Sequence, residues 1–176
     1  MLNPASVHIE LILSKTAAGY LQRRVLPPMT EPAHHFIGQW RVEAAEDEHR
    51  GEWFMVTNCA TFFTFLLPRS PTMRWPDLEV AFRTRLRFAL LAGSPPADVR
   101  ILGILPVKGN PRKVVGSMNE MCYLLASGCC TPDCDDAETA LNRTPFTAIG
   151  ARADFAFPED VWHVRLNELA SAGPAA

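Results

Sequence analysis

The feature that most limits the folds open to this chain is the run Thr61 to Leu67, T-F-F-T-F-L-L, which places Phe and Leu on both faces of any extended strand. A strand apolar on both faces must be covered on both sides, so the run predicts a central strand, ended by Pro68. Around it the period-2 signal is cleaner. Val7, Ile9, Leu11 and Leu13 alternate with His8, Glu10 and Ile12, which reads as a half-buried first strand. Ser14 then caps a short helix reaching about Arg24, and Pro27-Pro28 opens a loop carrying His34-His35. Trp40, Val42 and Ala44 share one face of a second strand. The polar run Glu46 to Gly51 turns the chain, Glu52 to Thr57 returns, and Asn58 supplies the next turn.

Helical signals dominate the remainder. Pro76 at a first helical position with Asp77 and Glu79 in the first turn opens a helix to about Leu91, closed by Gly93. A shorter helix is expected from Ser94-Pro95 to Gly103, then a brief strand from Ile104 to Val107. Asn110-Pro111 reads as an N-cap and first-position pair. After it Val114, Met118, Met121 and Leu125 recur at helical spacing up to Gly128. Cys129 to Asp136 and Arg143 to Asp154 read as irregular, and a last helix runs from Pro158 to about Ala170. Strands first and helices later argue for α+β: a largely antiparallel sheet, built mostly from the N-terminal half, with three to five helices on one face.

Three segments together resemble a bacterial family of small cytosolic domains of unknown function: I-E-L-I-L-S-K-T-A-A-G-Y-L (Ile9–Leu21), G-E-W-F-M-V-T-N-C-A-T-F-F-T-F-L-L-P (Gly51–Pro68) and V-V-G-S-M-N-E-M-C-Y-L-L (Val114–Leu125). The G-S-M-N-E helix segment is the distinctive one. The family has no established activity, so the resemblance implies a small cytosolic domain and carries over no catalytic residue.

Length and charge set wider bounds. A chain of 176 residues, 48% apolar, has material for one sizeable core. Seventeen basic and 19 acidic side chains give a net charge of -2, so no long-range field points to nucleic acid or a membrane surface. The N-terminus has no cationic stretch leading into an apolar run, and no stretch reaches the about 18 apolar residues of a spanning helix, so a cytoplasmic location is expected. Five cysteines, three crowded at Cys129, Cys130 and Cys134, suit reduced thiols. Their spacing lacks paired C-x-x-C knuckles and has no nearby His, so neither a metal nor another cofactor is expected. Asn142-Arg143-Thr144 matches a glycosylation triplet, without meaning in a chain that is not exported.

Two places ask for more than packing. Leu78, Phe82, Leu86 and Ala89, flanked by Ala81 and Phe88, form the apolar arc of the first long helix, and Arg85 falls inside it. A guanidinium there snorkels, meets a structural carboxylate, or holds a ligand anion. On the second long helix Arg112, Gly116, Asn119 and Tyr123 form a stripe away from the apolar face. Gly116 within it costs about 1 kcal/mol relative to Ala. Glu120 adjoins the stripe, and Lys108, Arg112 and Lys113 crowd the helix start, where an anion can meet free N–H groups. No G-x-S-x-G elbow, phosphate-cradling glycine loop or H-E-x-x-H occurs.

Three readings follow. The first is a non-catalytic binding or interaction module with a protein or small-molecule partner. The second is a hydrolase-type enzyme for a small anionic substrate held by Arg85 or Arg112 and served by Asn119, Glu120 or a loop histidine. It requires those groups to converge. The third is nucleic-acid binding through Arg69, Arg74, Arg83 and Arg87 with Trp75 for stacking, which the net charge disfavours.

Overall fold

The computed structural model describes residues 5–28, 35–47, 51–92, 99–127, 134–146 and 156–171. Their element order is β1 (Ala5–Leu13), α1 (Lys15–Tyr20), β2 (Gln39–Asp47), β3 (Gly51–Asn58), β4 (Thr64–Pro68), α2 (Trp75–Leu91), β5 (Val99–Val107), α3 (Arg112–Ala126), α4 (Cys134–Asn142) and α5 (Pro158–Ser171). The strands form one sheet in the order β4-β3-β2-β1-β5. This is an α+β fold, but the sheet is mixed rather than largely antiparallel. β1 runs parallel to both β2 and β5, whereas β2-β3 and β3-β4 are antiparallel. Ser14 accepts from the Ala17 N–H at 3.0 Å and starts α1, which ends at Tyr20 rather than near Arg24. β1 and β2, with α1 between them, thus make a βαβ unit.

The alternation of β1 sorts the sheet into two faces. Val7, Ile9, Leu11 and Leu13 point to one core with Trp40, Val42, Phe54, Val56, Phe65 and Leu67, closed by α1, α2 and α5. Trp40 is its centre, stacked on Phe65 at 5.1 Å and edge-on to Phe82 and Trp162, with its indole N–H donating to the Ile37 carbonyl at 2.8 Å. Ala45, Met55 and Leu66 face the other way into a second core under α3 and α4, with Val114, Met118, Met121, Leu125, Ala137 and Leu141. Helices therefore cover both faces, not one as expected. Leu90 joins the buried arc of α2, whereas Phe88, expected on its flank, is 67% exposed.

The apolar run predicted as a central strand lies at the edge. Thr64, Phe65, Leu66 and Leu67 are all buried, because α2 covers one face of β4 and α4 the other. The preceding residues form a tight turn around Asn58, whose Oδ1 accepts from the Ala60 and Thr61 amides and the Thr61 hydroxyl, while Phe62 adopts φ 60°. Among the described residues no strand lies beyond β4, yet its outer backbone groups are not bare. The Thr64 N–H donates to Asn142 Oδ1 at 2.8 Å, and Asn142 Nδ2 donates back to the Thr64 carbonyl at 2.9 Å. The Leu66 N–H donates to Glu138 Oε2 at 2.8 Å. Residues 138 and 142 stand one helical turn apart, so α4 presents them in sequence along the edge as a neighbouring strand would present its peptide groups. Asn142 is 4% exposed, so this geometry also removes it as a glycosylation acceptor.

β5 is one nine-residue strand, where a helix to Gly103 and a strand only from Ile104 were expected. Its pairing partner, β1, lies far back in the chain, and that long-range ladder makes Val99 to Gly103 strand rather than helix, while the expected helix start at Ser94-Pro95 lies outside the described residues. Pro106 is tolerated because β5 is the other edge strand. Since β4 and β5 lie four strand spacings apart, about 19 Å, the chain must recross the sheet, and a 17-residue helix such as α2 spans about 25 Å. α4 starts at Cys134, inside a stretch expected to be irregular, and α5 ends at Ser171. Residues 48–50, expected to turn, His34 and Gly93, and residues 128–133 and 147–155, which include Cys129 and Cys130 and parts of the stretches expected to be irregular, lie outside the described residues.

The edge clasp makes a direct prediction. Asn142→Ala strands a buried donor and a buried acceptor at Thr64 and should cost about 2–3 kcal/mol in urea unfolding. Arg143→Ala, which removes only an exposed pair to Glu159, should stay within about 0.5 kcal/mol.

Candidate interaction surface

α3 is a two-sided helix whose start is open. Its N-cap position is taken by Pro111, with no side-chain cap and no acid in the first turn, so Asn110 is not the cap expected of it. Val114, Ser117, Met118, Met121 and Leu125 are buried against the sheet. On the outer side Arg112, Gly116, Asn119, Glu120 and Tyr123 are all exposed, and Tyr123, at 73%, is the most exposed of the large apolar residues described. The four expected site residues of α3 therefore share one solvent-facing surface. Gly116 lies among them, and among the described residues nothing outside the helix's own backbone and the neighbouring residues lies within 4 Å of where its Cβ would stand. Internal packing does not require a glycine there, and the helix pays its propensity cost for a strip of bare backbone between Arg112 and Asn119.

Arg85 is not part of this surface. α2 packs on the opposite face of the sheet from α3, and the Arg85 guanidinium reaches past the Phe65 ring, 5.9 Å from its centroid, to an ion pair with Glu138 at the β4 edge. Arg85 thereby steadies the carboxylate that accepts from Leu66. The structure does not bring Arg85 and Arg112 together. Three arginines of the nucleic-acid reading, Arg69, Arg74 and Arg83, have partners within the fold. Arg69 is buried, lying 3.7 Å from the centroid of the Tyr20 ring and 3.3 Å from Glu52, and Trp75 is buried beneath Arg23. Arg74 donates to the carbonyls of Pro71 and Met73, Arg83 pairs with Glu79, and Arg87 is exposed.

Alternation along β1 and β2 did not reveal a polar cluster on the second face of the sheet. Glu10, only 1% exposed, accepts from Gln39 Nε2 at 2.7 Å. Arg41, 9% exposed, donates to the Gly109 carbonyl at 3.2 Å and pairs with Glu43 at 3.2 Å. Gly109 must be small here, since a Cβ would meet Ile12 Cγ2 at 3.0 Å. The cluster ties the loop before α3 to the sheet and so fixes where the helix begins. The pair Arg41-x-Glu43, on one side of a strand with Trp40 and Val42 on the other, was its only sequence signal.

Two thiols border this cluster, and both are held protonated. Burial pushes Cys59 up to about 12, opposed in part by Arg41 and reinforced by Glu10. Burial, with Glu43 adding to it, pushes Cys122 up to about 11. Neither suits nucleophilic work near neutral pH. Burial also lowers His35 below 6.5, keeping that loop histidine neutral. No group of three or more His, Cys, Asp or Glu side chains capable of holding a metal occurs among the described residues, nor does a helix long and apolar enough to cross a membrane. An open hollow of about 470 Å³ beside α1 is lined by Lys15, Thr16, Gly19 and Tyr20.

The thiol environments can be checked by peptide-resolved alkylation. The rise from 9.0 to about 11 at Cys122 lowers its thiolate fraction at pH 8 about 100-fold, and Cys59 falls further, so both should label far more slowly folded than in urea. The unfolded chain releases these protons above pH 9, whereas the folded chain holds them to about 11 and 12. Their contribution to stability is therefore constant below pH 9 and lost as pH rises through that window.

Comparison with protein-family models, curated proteins and solved structures returns no match, so the functional argument rests on this chain's own geometry.

Proposed function

We propose that this chain is a non-catalytic interaction module that meets a protein partner through the outer stripe of α3. The observation that carries this reading is Gly116: a helix-interior glycine that no internal contact requires, set among exposed Arg112, Asn119, Glu120 and Tyr123. Bare helix backbone lets a partner approach closely, and Tyr and Arg beside it are the side chains that most often anchor protein interfaces. The buried face of α3 and the Arg41–Gly109 tie hold the stripe rigid, which lowers the entropy lost on binding. The resemblance to small cytosolic bacterial domains of unknown function belongs to the same proposal and sets the cytoplasm as the place to look. The hydrolase-type reading finds no support in Arg85, whose carboxylate partner is Glu138.

The test separates binding from folding. Gly116→Gln removes the helix penalty without a clash and should stabilise the chain by about 0.5–1 kcal/mol in urea unfolding. The same variant, and Tyr123→Ala, should each lose a partner that the unaltered chain retains in quantitative capture from its native host. If both variants retain the same enriched proteins as the unaltered chain, the stripe is not the interface.

A further inference from the structure

The cations of this fold divide into two groups. Arg41, Arg69, Arg83, Arg85, Arg143 and Arg165 each meet a carboxylate within the chain. Lys108, Arg112 and Lys113 do not. All three are exposed, and among the described residues their side chains make no hydrogen bond or ion pair. No acid stands in the first turn of α3, and the carboxylates of Glu10 and Glu43, on the strands beneath Gly109, are engaged by Gln39 and Arg41. The charge then changes sign along the helix. Tyr123 stands exposed about 16 Å along the axis from Arg112, and Glu120, one turn before it, is the only other charge on α3 besides Arg112 and Lys113.

We infer that the partner of α3 presents an acidic protein segment, with carboxylates at Lys108, Arg112 and Lys113 and an apolar side chain at Tyr123. This rests on the reading of the α3 stripe as an interface and names the chemistry that the interface takes. Three cations left unpaired within residues 108–113 select negative charge. They do not select a polyanion. A nucleic-acid strand or an anionic lipid surface carries its charge onward past Asn119 to Glu120, where it meets repulsion, and three cations make a small phosphate footprint. A segment that is acidic at one end and apolar at the other matches both ends of the stripe. Its two features lie about 16 Å apart, which is about eleven residues of a helix or five of an extended strand. Gly116 lies between them and lets the backbone of the segment come close.

Selection from a phage-displayed library of random peptides about 16 residues long, with the full chain as bait, is the test. Enriched peptides should carry a cluster of Asp or Glu at one end and an aromatic or aliphatic residue about five or eleven positions away. A synthetic copy of such a peptide should bind about tenfold more weakly to the Arg112→Glu, Lys113→Glu chain, because two exposed attractions become repulsions. Glu suits the first turn of a helix, so this variant should fold, which circular dichroism checks. The Arg87→Glu, Arg165→Glu chain has the same net charge with both changes on other helices, and should bind the peptide as the unaltered chain does. Enriched peptides that need Gly116 and Tyr123 but lack acidic residues, or that bind the Arg112→Glu, Lys113→Glu chain undiminished, would keep the interface and overturn its acidic partner. Equal affinity for oligothymidine at the same salt would overturn it in favour of a polyanion. Peptides indifferent to both Gly116→Gln and Tyr123→Ala, or no enrichment at all, would overturn the inference together with the interface on which it rests.

Discussion

Strand β4 is apolar on both faces and, among the described residues, has no strand beyond it, and the rest of the architecture answers to that pair of facts. Covering Phe65 and Leu67 calls for α2 and α5 on one side, and covering Leu66 calls for α3 and α4 on the other. Its outer peptide groups then need acceptors and donors that water cannot supply at a buried edge. α4 supplies them with one carboxylate and one carboxamide a turn apart, and Arg85 crosses from the opposite layer to hold the carboxylate. A single helix of nine residues thus closes an edge, completes the second core and ties the two helical layers together.

What could be read from the sequence was whatever a single element determines by its own periodicity. β1, α2, α3 and α5 follow from apolar spacing and from Ser, Pro and acidic start signals, and the outer stripe of α3 follows from the same wheel. The apolarity of Thr61 to Leu67 correctly announced burial on both faces, but it could not say that helices, not strands, would provide the cover. Local composition reports whether a face is dry, not what dries it. The first half of β5 and all of α4 were missed for a related reason. The ladder of β5 to β1 joins residues some ninety positions apart, and Asn142 reaches back 78 positions to Thr64, so neither shows in a local window. The alternation rule assigned Glu10 to solvent, although Gln39 and the surrounding sheet bury it, because a polar residue on the second face of a strand looks the same covered or uncovered.

The residues that fold does not consume indicate how the molecule works. Arg85 and Arg69 stood out in the sequence as cations, yet the structure gives both to intramolecular partners, Glu138 for one and Tyr20 with Glu52 for the other. The Arg41 cluster is likewise spent on anchoring the loop that leads into α3. The α3 stripe is different. Its backbone is fixed from behind, its side chains face outward, and none of the described residues packs against the place of its missing side chain. Rigid support behind an unspent surface is the arrangement that favours recognition over chemistry.

Native-state hydrogen exchange at the two outer amides of β4 tests the central constraint most directly. If Glu138 and Asn142 close that edge, Thr64 and Leu66 exchange only on global unfolding, as slowly as Val56 in the neighbouring strand. Exchange of Thr64 and Leu66 at the fast rates of a solvent-facing edge, with Val56 still protected, would contradict the account.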